Sequence, residues 1–201
     1  MSIHLLKRAP ERARPRVELL PDIRLEQARA HEACGASRRV FALWLAARLE
    51  GPVLWITPGW GMEQLNPHGV HDFMDPNRIL YVKAQRAEDL LWSVEETLRA
   101  GVIPLVVADL PAPPGLTPVR RMHLAAEEGG ETQKPPPMAL LLTPGDGGAQ
   151  GVESRWHMAP AFGEQPRLWR LDRVRARTRP PQSWHLYQAR PGTLPTPVHP
   201  I

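Results

Sequence analysis

The stretch from Gly101 to Leu110, Gly-Val-Ile-Pro-Leu-Val-Val-Ala-Asp-Leu, is the feature that most limits what this chain can fold into. An unbroken apolar run has no side to offer water, so it fits a strand covered on both faces by helices, as in the parallel core of an α/β sheet. Pro104 has no N–H to give a ladder, which puts it at the start of the strand with pairing from Leu105 onward. Asp109 then stands at the carboxyl end, the edge where open α/β sheets hold their ligands.

The remaining periodicities build a sheet around that strand. Residues 23–30 alternate as a short strand, followed by the loop Glu32–Arg39 and a helix over Val40–Glu50 that Gly51 and Pro52 stop. Val53–Thr57 reads as a buried strand, Pro58–Asn77 as a long loop, and Ile79–Val82 as another strand. A helix over Glu88–Ala100 sets Leu90, Leu91, Val94 and Leu98 on one side and ends at Gly101. After the central strand, Thr117-Pro118 reads as an N-cap with proline at the first helical position, and the helix ends at Gly129-Gly130. Met138–Thr143, Glu153–Met158, Leu168–Arg177 and Trp184–Ala189 complete the strands. The last three have short connections and no helix between them, which predicts antiparallel neighbours. The expected fold class is therefore a RecA-like mixed β-sheet, a parallel core with antiparallel strands toward the C-terminus, flanked by helices. Residues 22–189 form this domain, with an Arg/Pro-rich basic arm over 1–21 and a proline-rich tail over 190–201.

At 201 residues with 42% hydrophobic content, the chain has enough apolar material for one substantial core. A single cysteine, Cys34, excludes an intrachain disulfide framework and fits a reducing compartment. Only Ile3-His4-Leu5-Leu6 precedes the basic Lys7-Arg8, the wrong order and length for an export signal, so the expected location is cytoplasmic, without a membrane.

The loop Glu32–Arg39 stands where a phosphate-binding loop belongs, between a strand and its helix. Such a loop needs Gly, four residues, then Gly-Lys-Ser/Thr, because backbone N–H groups cradle phosphate, lysine reaches it and the hydroxyl holds magnesium. With Arg38 in the lysine position, Glu32 takes the first glycine, Ser37 the second and Arg39 the hydroxyl. A carboxylate facing phosphates and a cation facing the metal both oppose ATP and magnesium. Gly35, Ser37, Arg38, Arg39 and Asp109, the counterpart of the magnesium-orienting acid, are thus the candidates for a vestigial nucleotide site, with no catalytic residue and no cofactor expected.

Elsewhere, Trp44, Trp55, Trp92, Trp156, Trp169 and Trp184 fall in periodic segments and read as core or sheet-face residues, whereas Trp60 sits between glycines in a loop and is a candidate anchor for a partner. Alternation along Leu168–Arg177 puts Arg173, Arg175, Arg177 and Arg179 on one side. That row is either a contact for DNA phosphates or an acidic protein groove, or a charged guard on an edge strand. Arg120-Arg121 is either partner-facing or simply a solvated helix face. Glu95 and Glu96 read as a solvated face rather than a base, Cys34 as a packed thiol rather than a reactive one, and His68, His71, Asp72 and Asp75 lack a specified third metal ligand.

Taken in order, His31-Glu32, the run Ala87–Glu96 leading to Arg99-Ala-Gly101, Leu116–Ala126, Glu153-Ser-Arg-Trp156 and the Arg173–Arg177 strand before Trp184 resemble the ImuA family of bacterial damage-induced mutagenesis, and more distantly the SulA-type division inhibitors. The resemblance spans about Ala30 to Leu186; the chain departs from the family in its short ends and its proline-rich tail. It implies a RecA-like core with weakened or lost ATP hydrolysis that acts through protein contacts. The implied partners are the RecA recombinase and an ImuB-like relative of Y-family polymerases, in SOS translesion synthesis. A residual ATP-binding switch and a SulA-like inhibitor are the alternatives; weak DNA contact and a homo-oligomer stay open.

Overall fold

In the computed structural model, which describes residues 15–61, 64–163 and 166–198, the chain opens with a hairpin of β1 (Arg16–Leu20) and β2 (Ile23–Glu26). It continues through β3 (Ala30–Cys34), α1 (Arg38–Ala47), β4 (Val53–Pro58), α2 (Pro67–His71), a 3-10 turn at Pro76–Arg78 and β5 (Ile79–Ala84). Then follow α3 (Ala87–Ala100), β6 (Leu105–Asp109), α4 (Leu116–Thr132), β7 (Met138–Leu142), β8 (Ser154–Pro160), β9 (Leu168–Ala176), β10 (Gln182–Tyr187) and β11 (Thr196–Val198).

Nine strands form one sheet in the order β11-β10-β9-β8-β3-β7-β6-β4-β5. The six from β5 to β8 are parallel, and β9, β10 and β11 run antiparallel to their neighbours, which is the mixed sheet expected. β6 is flanked by β4 and β7, and its alternation explains the unbroken apolar run. Leu105 and Val107 face one core with Phe41, Trp44 and Leu45 of α1; Val106 and Ala108 face a second core with Val94 and Leu98 of α3 and Met122 and Ala126 of α4.

Several boundaries differ from the sequence reading. The assigned arm is structured from residue 16: Val17, Leu19, Ile23 and Leu25 of the hairpin pack into the α1-side core, while residues 1–14 lie outside the described chain. The assigned tail contributes β11, whose Pro197 sits on the sheet's edge, where a missing N–H costs no ladder bond. The strand expected over 23–30 is broken by Ala28, which turns at φ 57°, so that a new strand starts at Ala30. The long loop contains α2, capped by Asn66. α4 starts one residue before Thr117, with Gly115 at its N-cap, and runs through Gly129-Gly130 to Thr132. Those glycines are packing residues, since a Cβ on Gly129 would collide with the Leu98 carbonyl where α3 crosses α4.

Two buried histidines tie elements together as neutral rings. His31 of β3 bonds Ser154 Oγ through Nδ1 (2.7 Å) and donates from Nε2 to the Glu26 carbonyl (2.8 Å). His123 of α4 accepts the Ala30 N–H at Nδ1 (3.3 Å) and donates from Nε2 to the Gly151 carbonyl (3.0 Å). Burial pushes each down to about 4 from the ordinary 6.5. The unfolded chain therefore takes up protons first as pH falls, so the stability these rings confer is complete above 6.5 and is lost on descending toward 4. Thermal and urea unfolding should show a loss on the order of 2 kcal/mol per histidine between pH 7 and pH 5, and His31→Asn or His123→Asn should flatten that part of the profile.

Candidate functional site

The carboxyl edge of the sheet gathers all the vestigial nucleotide-site candidates, in an arrangement closed by the protein's own groups. β3 ends at Cys34, and Gly35 turns the chain at φ 86° into α1, passing so near β8 that a Cβ would collide with the Met158 carbonyl. The Gly35 N–H donates to the Gly145 carbonyl (2.9 Å), the Ser37 N–H to Met158 (3.0 Å), and the Arg38 N–H to Gly35 (3.3 Å). Donors that a phosphate loop turns toward its ligand are here spent on carbonyls. Ser37 occupies the N-cap of α1 without a side-chain cap bond.

Asp109, fully buried at the end of β6, is met by the first two residues of α1, which the sequence reading places in the loop. Arg39 Nε donates to Asp109 Oδ2 at 2.7 Å, and Arg38 Nη2 lies 3.7 Å from Oδ1, an oxygen that receives no hydrogen bond among the described residues. A buried carboxylate demands a counter-charge. Arg39, in the position of the magnesium-binding hydroxyl, supplies it as a guanidinium. Gly35, Ser37, Arg38, Arg39 and Asp109 thus lie together, with Arg39 on Asp109 and the Gly35 and Ser37 N–H groups bonded to Gly145 and Met158.

Glu32 is a correction. It lies in β3, not in the loop, and is completely buried. Its Oε1 accepts from Thr143 Oγ1 (2.7 Å), Gly148 N (2.8 Å) and Ala149 N (2.9 Å), and its Oε2 pairs with Arg155 of β8. Thr143, Gly148, Ala149 and Arg155 escaped the sequence reading; the glycine-rich run Gly145-Asp-Gly-Gly148 was the one signal pointing to them. Beside them Cys34 is buried, with its thiol pushed up to about 12 chiefly by burial and then by Glu32, so it is a packed thiol.

The outlying candidates scatter. Trp60 is half-exposed after β4, and Trp92 is 58% exposed on α3 and not core. Glu95 is not a solvated face: it is buried between Arg99 (2.8 Å) and Arg121 (2.6 Å), which hold its carboxyl below the usual range against the cost of burial. Arg121 is thereby partnered within the fold. Asp72 pairs with Arg167 and Asp75 caps Asn77, and no cluster of three metal-ligating side chains occurs among the described residues.

The arginine row does not form. β9 carries an extra residue, Val174, between the pairings Trp156↔Arg173 and Arg155↔Arg175. This bulge throws Arg173 and Arg175 onto opposite faces of the sheet. Arg173 turns inward, 4% exposed, over Trp156 and Trp184, and its guanidinium donates to Pro180, Asp22 and Gln182. Arg177 and Arg179 lie past the strand's end, Arg177 near Glu153 (3.6 Å) and Arg179 on the Asp22 carbonyl (3.3 Å). Arg175 keeps no partner among the described residues.

Fold and site together define a mixed α/β sheet protein whose strand-end acid, Asp109, is neutralised by Arg39 of α1. Compared with protein-family models the chain finds no match, and compared with curated proteins it finds none either. Arg39→Ala should lower the unfolding free energy by about 3 kcal/mol, because Asp109 is left buried with a distant partner. In an Asp109→Ala background the same substitution should cost much less; equal costs in urea titrations of both backgrounds would show that the two charges are not coupled.

Proposed function

We propose that the chain is a non-catalytic adaptor of RecA-like architecture, working in the bacterial cytoplasm in damage-induced translesion mutagenesis. Its partners in this reading are the RecA recombinase and an ImuB-like relative of Y-family polymerases. The observation that supports the non-catalytic half is the Arg39–Asp109 ion pair, reinforced by the Gly35 and Ser37 N–H groups bonded to Gly145 and Met158. A nucleotide with magnesium would have to displace a buried ion pair and strip those donors before making a first contact. The same pair counts against the ATP-switch alternative. The partner half is supported by the ordered motifs from His31 to Trp184, and Trp60, half-exposed on a loop, is an aromatic side chain available to anchor a protein.

Equilibrium binding of the purified chain to RecA, free and assembled on single-stranded DNA, tests the reading, with bare DNA as the control. The expected result is saturable binding that bare DNA does not explain, weakened about tenfold by Trp60→Ala, with no ATP turnover and no quenching of tryptophan fluorescence by ATP. Absence of binding to both forms of RecA would overturn the recombinase contact. Filamentation on overexpression in a strain lacking recombinase would favour a SulA-like inhibitor instead.

A further inference from the structure

Arg120 and Arg177, which the sequence places in separate patches, line one cavity of about 250 Å³ with Arg29, His123, Leu124 and Glu127. The Val174 bulge makes this meeting possible: beyond it the ladder continues from Arg155↔Arg175 to the Arg177 N–H on the Glu153 carbonyl, on the side of the sheet that α4 covers. Without that extra residue, Arg177 would share the face of Arg173. The cavity lies at the amino edge of the sheet, beside the first residue of β3 and the residue preceding β8, opposite the edge that holds Asp109.

The charges in it are unequal and unequally engaged. Arg29 forms the floor, its side chain 7% exposed, held by Glu127 (2.5 Å) and Glu153 (3.4 Å). Arg177 leans on the same Glu153 at 3.6 Å, while Arg120 has no hydrogen bond or ion pair among the described residues. His123 has both ring nitrogens committed to the backbone. Among the described residues, three guanidinium groups thus stand over two carboxylates, one of them buried between two of the arginines. A recess of about 20 Å³ beside it, lined by Arg177, Glu153, Arg24 and Glu26 among others, is too small for a phosphate, so the site is confined to the larger cavity.

We propose that this cavity is a binding site for a phosphate group, gripped by the Arg120 and Arg177 guanidinium groups above the buried Arg29. Planar guanidinium forks match the oxygens of a phosphate, and a cation without an internal partner gives up no contact when it turns to a ligand. A backbone phosphate of a polynucleotide and a free phosphate compound offer the same chemistry at this position. The inference is independent of the recombinase contact, since its test contains no protein partner.

The test is fluorescence anisotropy of a labelled single-stranded oligonucleotide, with calorimetry of inorganic pyrophosphate as the second arm. Both are run on the full chain and on Arg120→Gln, Arg177→Gln and the control Arg170→Gln, which lies at the other end of β9. Arg120 has no hydrogen bond or ion pair among the described residues, so its variant should melt like the parent, which separates lost binding from lost structure. Arg120→Gln and Arg177→Gln should each weaken oligonucleotide binding about five- to tenfold and reduce the salt dependence by about one counterion, with Arg170→Gln unchanged. Pyrophosphate binding abolished by Arg120→Gln, with no oligonucleotide binding, would support the same site with a free phosphate as its ligand. Binding of neither ligand, or binding equal in all the variants, would overturn the proposal.

Discussion

A carboxylate with no access to water, Glu32 in the middle of β3, is the constraint on which the carboxyl half of the molecule rests. Burying that charge is tolerable only because Arg155 neutralises it and Thr143, Gly148 and Ala149 donate to it. Those partners come from β8 and from the loop after β7, so satisfying one side chain fixes β3 to both of its neighbours in the sheet. The loop must also come close. Gly147, at φ 76°, is the residue whose Cβ would strike the Glu32 carboxylate. Once the loop is drawn in, its Gly145 carbonyl takes up the Gly35 N–H, and the turn into α1 is closed from within.

Asp109 extends the same logic to β6. Two buried acids of the parallel sheet are each met by arginine, Glu32 by Arg155 and Asp109 by Arg39, so the strand-end acid at the edge where this architecture ordinarily receives ligands already has its counter-charge. The pairing stabilises the fold at the expense of that edge as a site. The Trp60 side chain after β4 and the arginine-lined cavity at the amino edge remain open to solvent.

Much of this was legible in the residues. The run Leu105–Ala108 implied a strand covered on both faces, the 3.6-residue spacing of Leu90, Val94 and Leu98 implied α3, and the lack of helices after Met138 implied antiparallel strands at one side. The phosphate-loop register also brought Arg38, Arg39 and Asp109 to one place. What escaped had a common cause, namely side chains whose environment is supplied by residues far away in sequence. Glu32 in a strand is implausible until Arg155 is beside it, more than a hundred positions on. Trp92 is a different case: it lies on the side of α3 opposite the Leu90, Val94 and Leu98 stripe and meets solvent, as the helical period by itself requires.

By itself, then, the sequence determined the class of sheet, the place of its central strand and the edge at which Asp109 would stand, because hydrophobic period and turn chemistry are local properties of the chain. The tertiary structure alone decided that Asp109 is neutralised by Arg39, that Glu32 is a strand residue, and that one extra residue at Val174 separates Arg173 from Arg175 and turns Arg177 toward Arg120. These outcomes depend on register and on charge compensation across the sheet. A buried ion pair or a bulge has no energy of its own until the opposite strand is in place.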